Sequence, residues 1–243
     1  MAVPNYTDEE FLNKYEERAK IHRLVPFQKI VDLLGNIKDK KILDLGCGTG
    51  DLSEILLKKN ARVIGLDVSQ KWIDLCKNRY KEKISDRFSF QLGTGTNLSF
   101  SENYFDGIAM NMVLLNVDTI EEVEDFFKNI SRVLKKDGTL VFSDLHPIAL
   151  MTPKVRNRSI KYIHDFSYFR NGDQFTAGIK EPDGKVIEFV DRHWTLETYS
   201  RLLEKYGLYI TTIAEPTYDS DAPDYLQNYP IPEYILFKCK KVF

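Results

Sequence analysis

Strand-like and helix-like segments alternate from residue 41 to residue 144, and no other feature restricts the fold of this chain so closely. Lys41-Ile42-Leu43-Asp44-Leu45 is a short apolar run of buried-strand character, followed at once by glycines. Residues 51–59 have helical spacing, with Leu52, Ile55 and Leu56 on one face. Strand patterns follow at 62–66, 88–92, 106–112 and 139–144, and helical ones at 69–81 and 120–134, the latter stopped near Asp137-Gly138. Alternation of this kind predicts βαβ units, hence a mainly parallel sheet with right-handed crossovers and helices on both faces.

The flanks complete the picture. Residues 8–20 and 26–34 read as helices, with Gly35 as a stop. From 147 to 190 the alternation breaks down and turn signals appear at Asn171-Gly172 and Asp183-Gly184, so this part is expected to be an antiparallel insertion. Residues 195–206 return to helix, and 208–213 and 235–240 read as two closing strands. The expected organisation is one domain. It has a helical cap at 1–40, a ligand-binding core at 41–146, a lid at 147–190 and a closing helix and strands at 191–243.

Composition narrows the class. The 243 residues are 43% hydrophobic with a net charge of −2, which disfavours a dedicated nucleic-acid binder. Cys47, Cys76 and Cys239 are widely spaced and form no metal-ligand pattern, so no metal is expected and a reducing cytoplasm is the expected setting. No segment reads as a signal peptide or a membrane span.

The chemistry concentrates at Asp44-Leu45-Gly46-Cys47-Gly48-Thr49-Gly50. Glycines at a strand-to-helix turn let a ligand approach the backbone, and the helix N-terminus supplies donors. A dinucleotide site needs G-x-G-x-x-G, and here Gly50 comes one residue too early. Asp44 would also repel a pyrophosphate. It suits a cationic ligand whose ammonium donates a charge-assisted hydrogen bond, as in the amino-acid half of S-adenosylmethionine. Asp67, about 20 residues on, suits ribose hydroxyls.

Together these residues resemble the class I S-adenosylmethionine-dependent methyltransferases, whose fold is a Rossmann-like, mostly parallel seven-stranded sheet. Asp44, Gly46, Gly48 and Gly50 match the motif D-x-G-x-G-x-G. The segment from Gly93 to Phe100 is similar to G-D-A-x-x-L-P-F, Phe105-Asp106-Gly107-Ile108 to F-D-x-I/V, and the segment from Arg132 to Leu140 to R-V-L-K-P-G-G. His193-Trp194-Thr195-Leu196 and Glu215-Pro216 are similar to the family's H-R-x-L and E-P tail. The resemblance implies S-adenosylmethionine as cofactor, S-adenosylhomocysteine as product and a small-molecule acceptor. It assigns Asp44, Gly46, Cys47, Gly48, Gly50, Asp67, Val68, Thr94, Gly95 and Thr96 to cofactor binding. Thr94 stands where the family has an aspartate at the adenine. Asn111 and Met112 fall beside the transferring methyl, and Tyr15 is placed to close over the methionine part. Trp72 either covers the adenine or packs in the core.

Catalytic candidates are few, because methyl transfer from a sulfonium requires mainly alignment and exclusion of water. Asp144 and His146 follow the fifth strand and should open onto the site, with His146 a candidate general base. His193 is a second candidate, at a strand-to-helix junction. The insertion offers aromatic walls in Tyr162, Phe166, Tyr168, Phe169 and Phe175. Its basic residues, Lys154, Arg156, Arg158, Lys161 and Arg170, would suit an acidic acceptor. A non-catalytic cofactor-binding protein stays open as an alternative, and so does a nucleic-acid methyltransferase, although neither an N/D-P-P-Y nor a Pro-Cys motif is present.

Overall fold

The computed structural model describes residues 26–152, 154–155, 158–162, 165–180, 186–217 and 231–243. The helix expected at 8–20, with Tyr15, and most of the Pro-rich loop before Tyr234 lie outside them.

Eleven strands occur among the described residues. β1 (Lys41–Leu45), β2 (Arg62–Asp67), β3 (Phe88–Leu92), β4 (Phe105–Asn111), β5 (Leu134–Leu145), β10 (Leu208–Ala214) and β11 (Tyr234–Lys241) form one sheet, in the order β10-β11-β5-β4-β1-β2-β3. Only β11 runs against its neighbours; β5, β4, β1, β2 and β3 pair in parallel. β6 (Lys154–Val155), β7 (Arg158–Tyr162), β8 (Gln174–Lys180) and β9 (Val186–Arg192) form a second, wholly antiparallel sheet. It lies where the sequence predicts an antiparallel insertion.

Helices cover both faces of the large sheet. On one side lie α1 (26–34), α2 (Asp51–Lys58) and α3 (Gln70–Arg79); on the other lie α4 (Ile120–Val133) and α6 (Leu196–Lys205). Strand alternation divides the core between them. Ile42, Ala109 and Val141 join the first cluster, while Leu43, Leu45, Ile108, Met110, Leu140 and Phe142 join the second. Helix ends follow local chemistry. Ser69 caps α3, Thr195 caps α6, and Thr119 with Glu122 forms a capping box on α4.

One boundary differs from the sequence reading. The helix ends at Val133, and Leu134 already pairs with Phe105 at the start of β5. Residues 135–138 loop out before Thr139 pairs with Gly107, and Asp137 makes the turn at φ 61°. Leu134 continues the apolar helical spacing, which conceals the change to extended backbone.

Candidate cofactor and acceptor site

A cavity of about 420 Å³ opens at the carboxyl ends of the parallel strands. This is where ligands bind in open α/β sheets. Its floor is the turn between β1 and α2. Gly46 and Cys47 both donate to the Leu66 carbonyl, at 2.7 and 3.0 Å, which fixes the turn against β2. Gly46, Gly48 and Gly50 all have positive φ. A Cβ on Gly46 would lie 2.5 Å from a Val113 methyl, and one on Gly50 would lie 2.8 Å from the Tyr80 ring. A Cβ on Gly48 would meet nothing within 4 Å. Gly48 is therefore the glycine that leaves room above the backbone.

Two carboxylates frame the turn. Asp44 is buried and accepts a 2.5 Å hydrogen bond from the Ser53 hydroxyl. Burial pushes its pKa up to about 7, the Ser53 hydrogen bond opposing this and the nearby Asp67 adding to it. Asp67 accepts from the Gly48 amide and the Ser69 amide, both at 2.9 Å, and so ties the glycine turn to the start of α3. Burial raises its pKa as well, against the pull of these amides.

Farther along the sheet, Val68, Trp72, Thr94, Gly95 and Thr96 line the cavity. Trp72 is buried and also lines the cavity. Thr94 and Thr96 hydroxyls lie 3.0 Å apart, so Thr94 is part of a local turn. That loop is held from α4. Arg132 donates to the Phe100 and Leu98 carbonyls at 2.7 and 2.5 Å, and Asn129 donates to the Thr96 carbonyl at 2.8 Å. The arginine of the R-V-L-K segment thus has a structural task at the site.

On the other side of β1, Asn111 and Met112 line the cavity at the end of β4. The Ser143 hydroxyl donates to the Asn111 carbonyl oxygen at 2.8 Å. Met112 has φ 56°, an uncommon conformation for a residue with a side chain. Among the described residues the lining also includes Phe27, Asn116, Asp118, Glu122, Phe126, Asp191 and Tyr234, none of them foreseen from the sequence. The described lining holds five carboxylates, Asp44, Asp67, Asp118, Glu122 and Asp191, and no lysine, arginine or histidine.

The other candidates lie elsewhere. Asp144 does not open onto the cavity; it is buried and accepts from the Tyr199 hydroxyl and from the Leu145 amide. Burial pushes its pKa up to about 6, against these hydrogen bonds. His146 caps the short helix α5 (Pro147–Leu150), with Nδ1 accepting from the Ile148 amide at 3.0 Å. Nε2 therefore carries the proton and donates to Glu215 at 2.8 Å, which leaves no ring nitrogen free to act as a base. His146→Ala should cost about 1 kcal/mol, as loss of a cap does, and lower the melting temperature by about 2–4 °C. S-adenosylhomocysteine affinity should not change; a tenfold loss in a calorimetric titration would return His146 to the site.

His193 is buried and outside the cavity lining. It bonds the Tyr168 carbonyl at 2.9 Å and packs against the Tyr168 ring. Burial lowers its pKa. Trp194 donates to the Leu114 carbonyl at 2.9 Å. Of the expected aromatic walls, Phe175 is buried facing inward and Phe169 is 86% exposed. Arg170 pairs with Asp173 at 3.0 Å away from the cavity, and the side chains of the other four basic candidates lie outside the described residues.

Residues 43–142 match the family model described as a methyltransferase domain. The matched segment carries the glycine turn, Asp67, Thr94 and Asn111 of the cavity. Curated relatives include a demethylmenaquinone methyltransferase of Thermotoga maritima, 31% identical over 49% of this chain and 50% of the relative. Another is an erythromycin 3''-O-methyltransferase of Saccharopolyspora erythraea, 30% identical over 51% of this chain and 41% of the relative. The chain spans about half the length of the curated relatives it matches. The fold as a whole is shared with an S-adenosylmethionine-dependent methyltransferase of Clostridium acetobutylicum. That structure superposes with a TM-score of 0.67 at 18% identity, over 96% of this chain and 98% of its own.

Proposed function

We propose that this protein transfers a methyl group from S-adenosylmethionine to a small-molecule acceptor. The observation that carries the proposal is the cavity itself, with carboxylates and no basic side chain in its described lining. Such a lining favours a ligand with an ammonium and a sulfonium and disfavours a pyrophosphate or a nucleic-acid backbone. Its size lies in the range of small-molecule sites, about 300–1,000 Å³. Relatives named for demethylmenaquinone and erythromycin support a small acceptor.

In this reading Asp44 takes the ligand's ammonium, with Gly46, Cys47, Gly48 and Gly50 shaping the floor beneath the methionine part. Asp67 accepts from the ribose hydroxyls. Val68, Trp72, Thr94, Gly95 and Thr96 surround the adenine. Asn111 and Met112 flank the methyl. When bound, the cofactor supplies an electrophilic methyl whose bonding pair leaves with sulfur, and the acceptor's lone pair makes the new bond. The chain's task is to align the two and exclude water. The core at 41–146 does the first, and the insertion at 147–190 acts as the lid that does the second. We place the protein in the cytoplasm, where its three buried cysteines would stay as thiols.

Calorimetric titration tests the reading, with S-adenosylmethionine, S-adenosylhomocysteine and NAD on the natural chain and on Asp67→Ala. Both sulfur ligands should bind, NAD should not, and the substitution should weaken binding at least about tenfold, as loss of hydrogen bonds to a charged group does. Tighter binding of NAD, or no binding of either sulfur ligand, would refute it.

A further inference from the structure

Asp191 is a cavity residue to which neither the family motifs nor the cofactor reading assigns a role. β9 pairs with β8 so that Asp191 faces Phe175 across the ladder, and directly paired residues share a sheet face. Phe175 and Ala177, alternate residues of β8, are 1% and 0% exposed. Both belong to the apolar cluster that contains Phe27, Leu150 and Tyr234. The inner face of the insertion sheet is thus apolar here, with one carboxylate set into it. That carboxylate is 1% exposed overall and lines the cavity.

The order of the sheet gives the end of the cavity to which Asp191 belongs. Asp67 ends β2, and Thr94 follows β3, on one side of β1; Asn111 ends β4 on the other. Tyr234 begins β11 opposite Leu145, farther from β2 and β3 than β4 is. With the ribose over Asp67, the acceptor enters from the β4 and β11 side. The end of β9 that carries Asp191 lies on that side, because Trp194, just beyond it, donates to the Leu114 carbonyl after β4. Arg192, next in the chain, pairs with Asp118 at 2.7 Å and anchors this end of β9 to the segment that follows β4.

We propose that Asp191 receives the methyl acceptor, and that the acceptor is a neutral or cationic molecule methylated on a hydroxyl or amino group. The proposal rests on the cofactor reading above. The carboxylate accepts a hydrogen bond from the acceptor's O–H or N–H, which turns the heteroatom's lone pair toward the methyl position. It then takes the proton that the heteroatom loses on methylation. Carboxylate or phosphate acceptors are turned away by the acidic lining, the reverse of what the insertion's basic residues suggested.

Sinefungin tests this without knowledge of the acceptor. In it a carbon bearing an amino group replaces the sulfonium, so an ammonium stands where the methyl would, and S-adenosylhomocysteine lacks that group. Titrated into the full chain at pH 7.5, sinefungin should bind about tenfold more tightly than S-adenosylhomocysteine, the scale of one charge-assisted hydrogen bond. Asp191→Asn should erase the preference and leave S-adenosylhomocysteine affinity within about twofold, which also reports that the variant is folded; Asp191→Glu should restore part of the preference. A preference that survives Asp191→Asn overturns the proposal, as does its absence in the natural chain or an equal loss of both ligands. Failure of the natural chain to bind S-adenosylhomocysteine at all would instead refute the cofactor reading.

Discussion

Asp44→Asn is expected to melt several degrees higher than the natural chain at pH 8, and to bind S-adenosylmethionine far more weakly. The reason is the state of the carboxyl without ligand. Its pKa rises from 3.8 to about 7, chiefly because it is buried. The folded chain therefore holds this proton more tightly than the unfolded chain does. Stability from this group is fully present below about pH 4 and is lost as the pH rises through about 7. Three units correspond to about 4 kcal/mol. Asparagine can keep the Ser53 hydrogen bond and carries no charge, so it removes most of that cost. At about 2–4 °C per kcal/mol for a chain of this size, the gain could approach about 10 °C at pH 8 and should shrink by more than half at pH 5.

The same carboxyl gives the ligand affinity a pH dependence of the opposite sense. An ammonium pairs with the ionised form only, so below pH 7 each unit of acidification should cost up to about tenfold in affinity. Above pH 7 the curve should flatten, and the Asp44→Asn variant should lack the slope. Melting curves and titrations at pH 5, 6, 7 and 8 measure both effects. An asparagine variant that is no more stable at pH 8, or that binds with the natural slope, would show that Asp44 is not the ammonium's partner.

The glycine-turn end of the cavity was legible because its constraints are local. A strand, a turn with three positive-φ glycines and a helix must follow one another in the chain, and Asp67 closes the adjacent strand at a fixed distance. Parity along β5 could have placed Asp144 correctly. It shares a face with Leu140 and Phe142, which belong to the cluster under α6, so it turns to Tyr199 and away from the cavity. His146 was misplaced for a different reason. Position after a strand gives the edge of the sheet, and a following Pro147 at the start of a helix makes the histidine a cap. Asp191 and Tyr234 were not legible at all. Their approach depends on how an antiparallel insertion folds back over the core, and no periodicity encodes that long-range packing.

The three glycines of the turn should separate stability from binding. Gly50 has φ 79°, and an added Cβ would lie 2.8 Å from the Tyr80 ring, 3.0 Å from Cys76 Sγ and 3.1 Å from the Phe90 ring. Gly50→Ala therefore combines left-handed strain of about 1–2 kcal/mol with overpacking of about 1–3 kcal/mol. It should lower the melting temperature by about 5–15 °C. Gly48→Ala carries the strain alone, since φ is 49° and the new methyl meets open space, so about 2–8 °C should be lost. Binding should respond in the other order. The space above Gly48 belongs to the cavity, and a methyl there would stand in the ligand's place at a cost of up to about 3 kcal/mol, or about a hundredfold in affinity. In Gly50→Ala the methyl points into the α3 and β3 packing, so the folded fraction should bind within a few-fold of the natural chain. Gly48→Ala with unchanged S-adenosylhomocysteine affinity would mean that the ligand does not lie over this turn, whatever the glycines resemble.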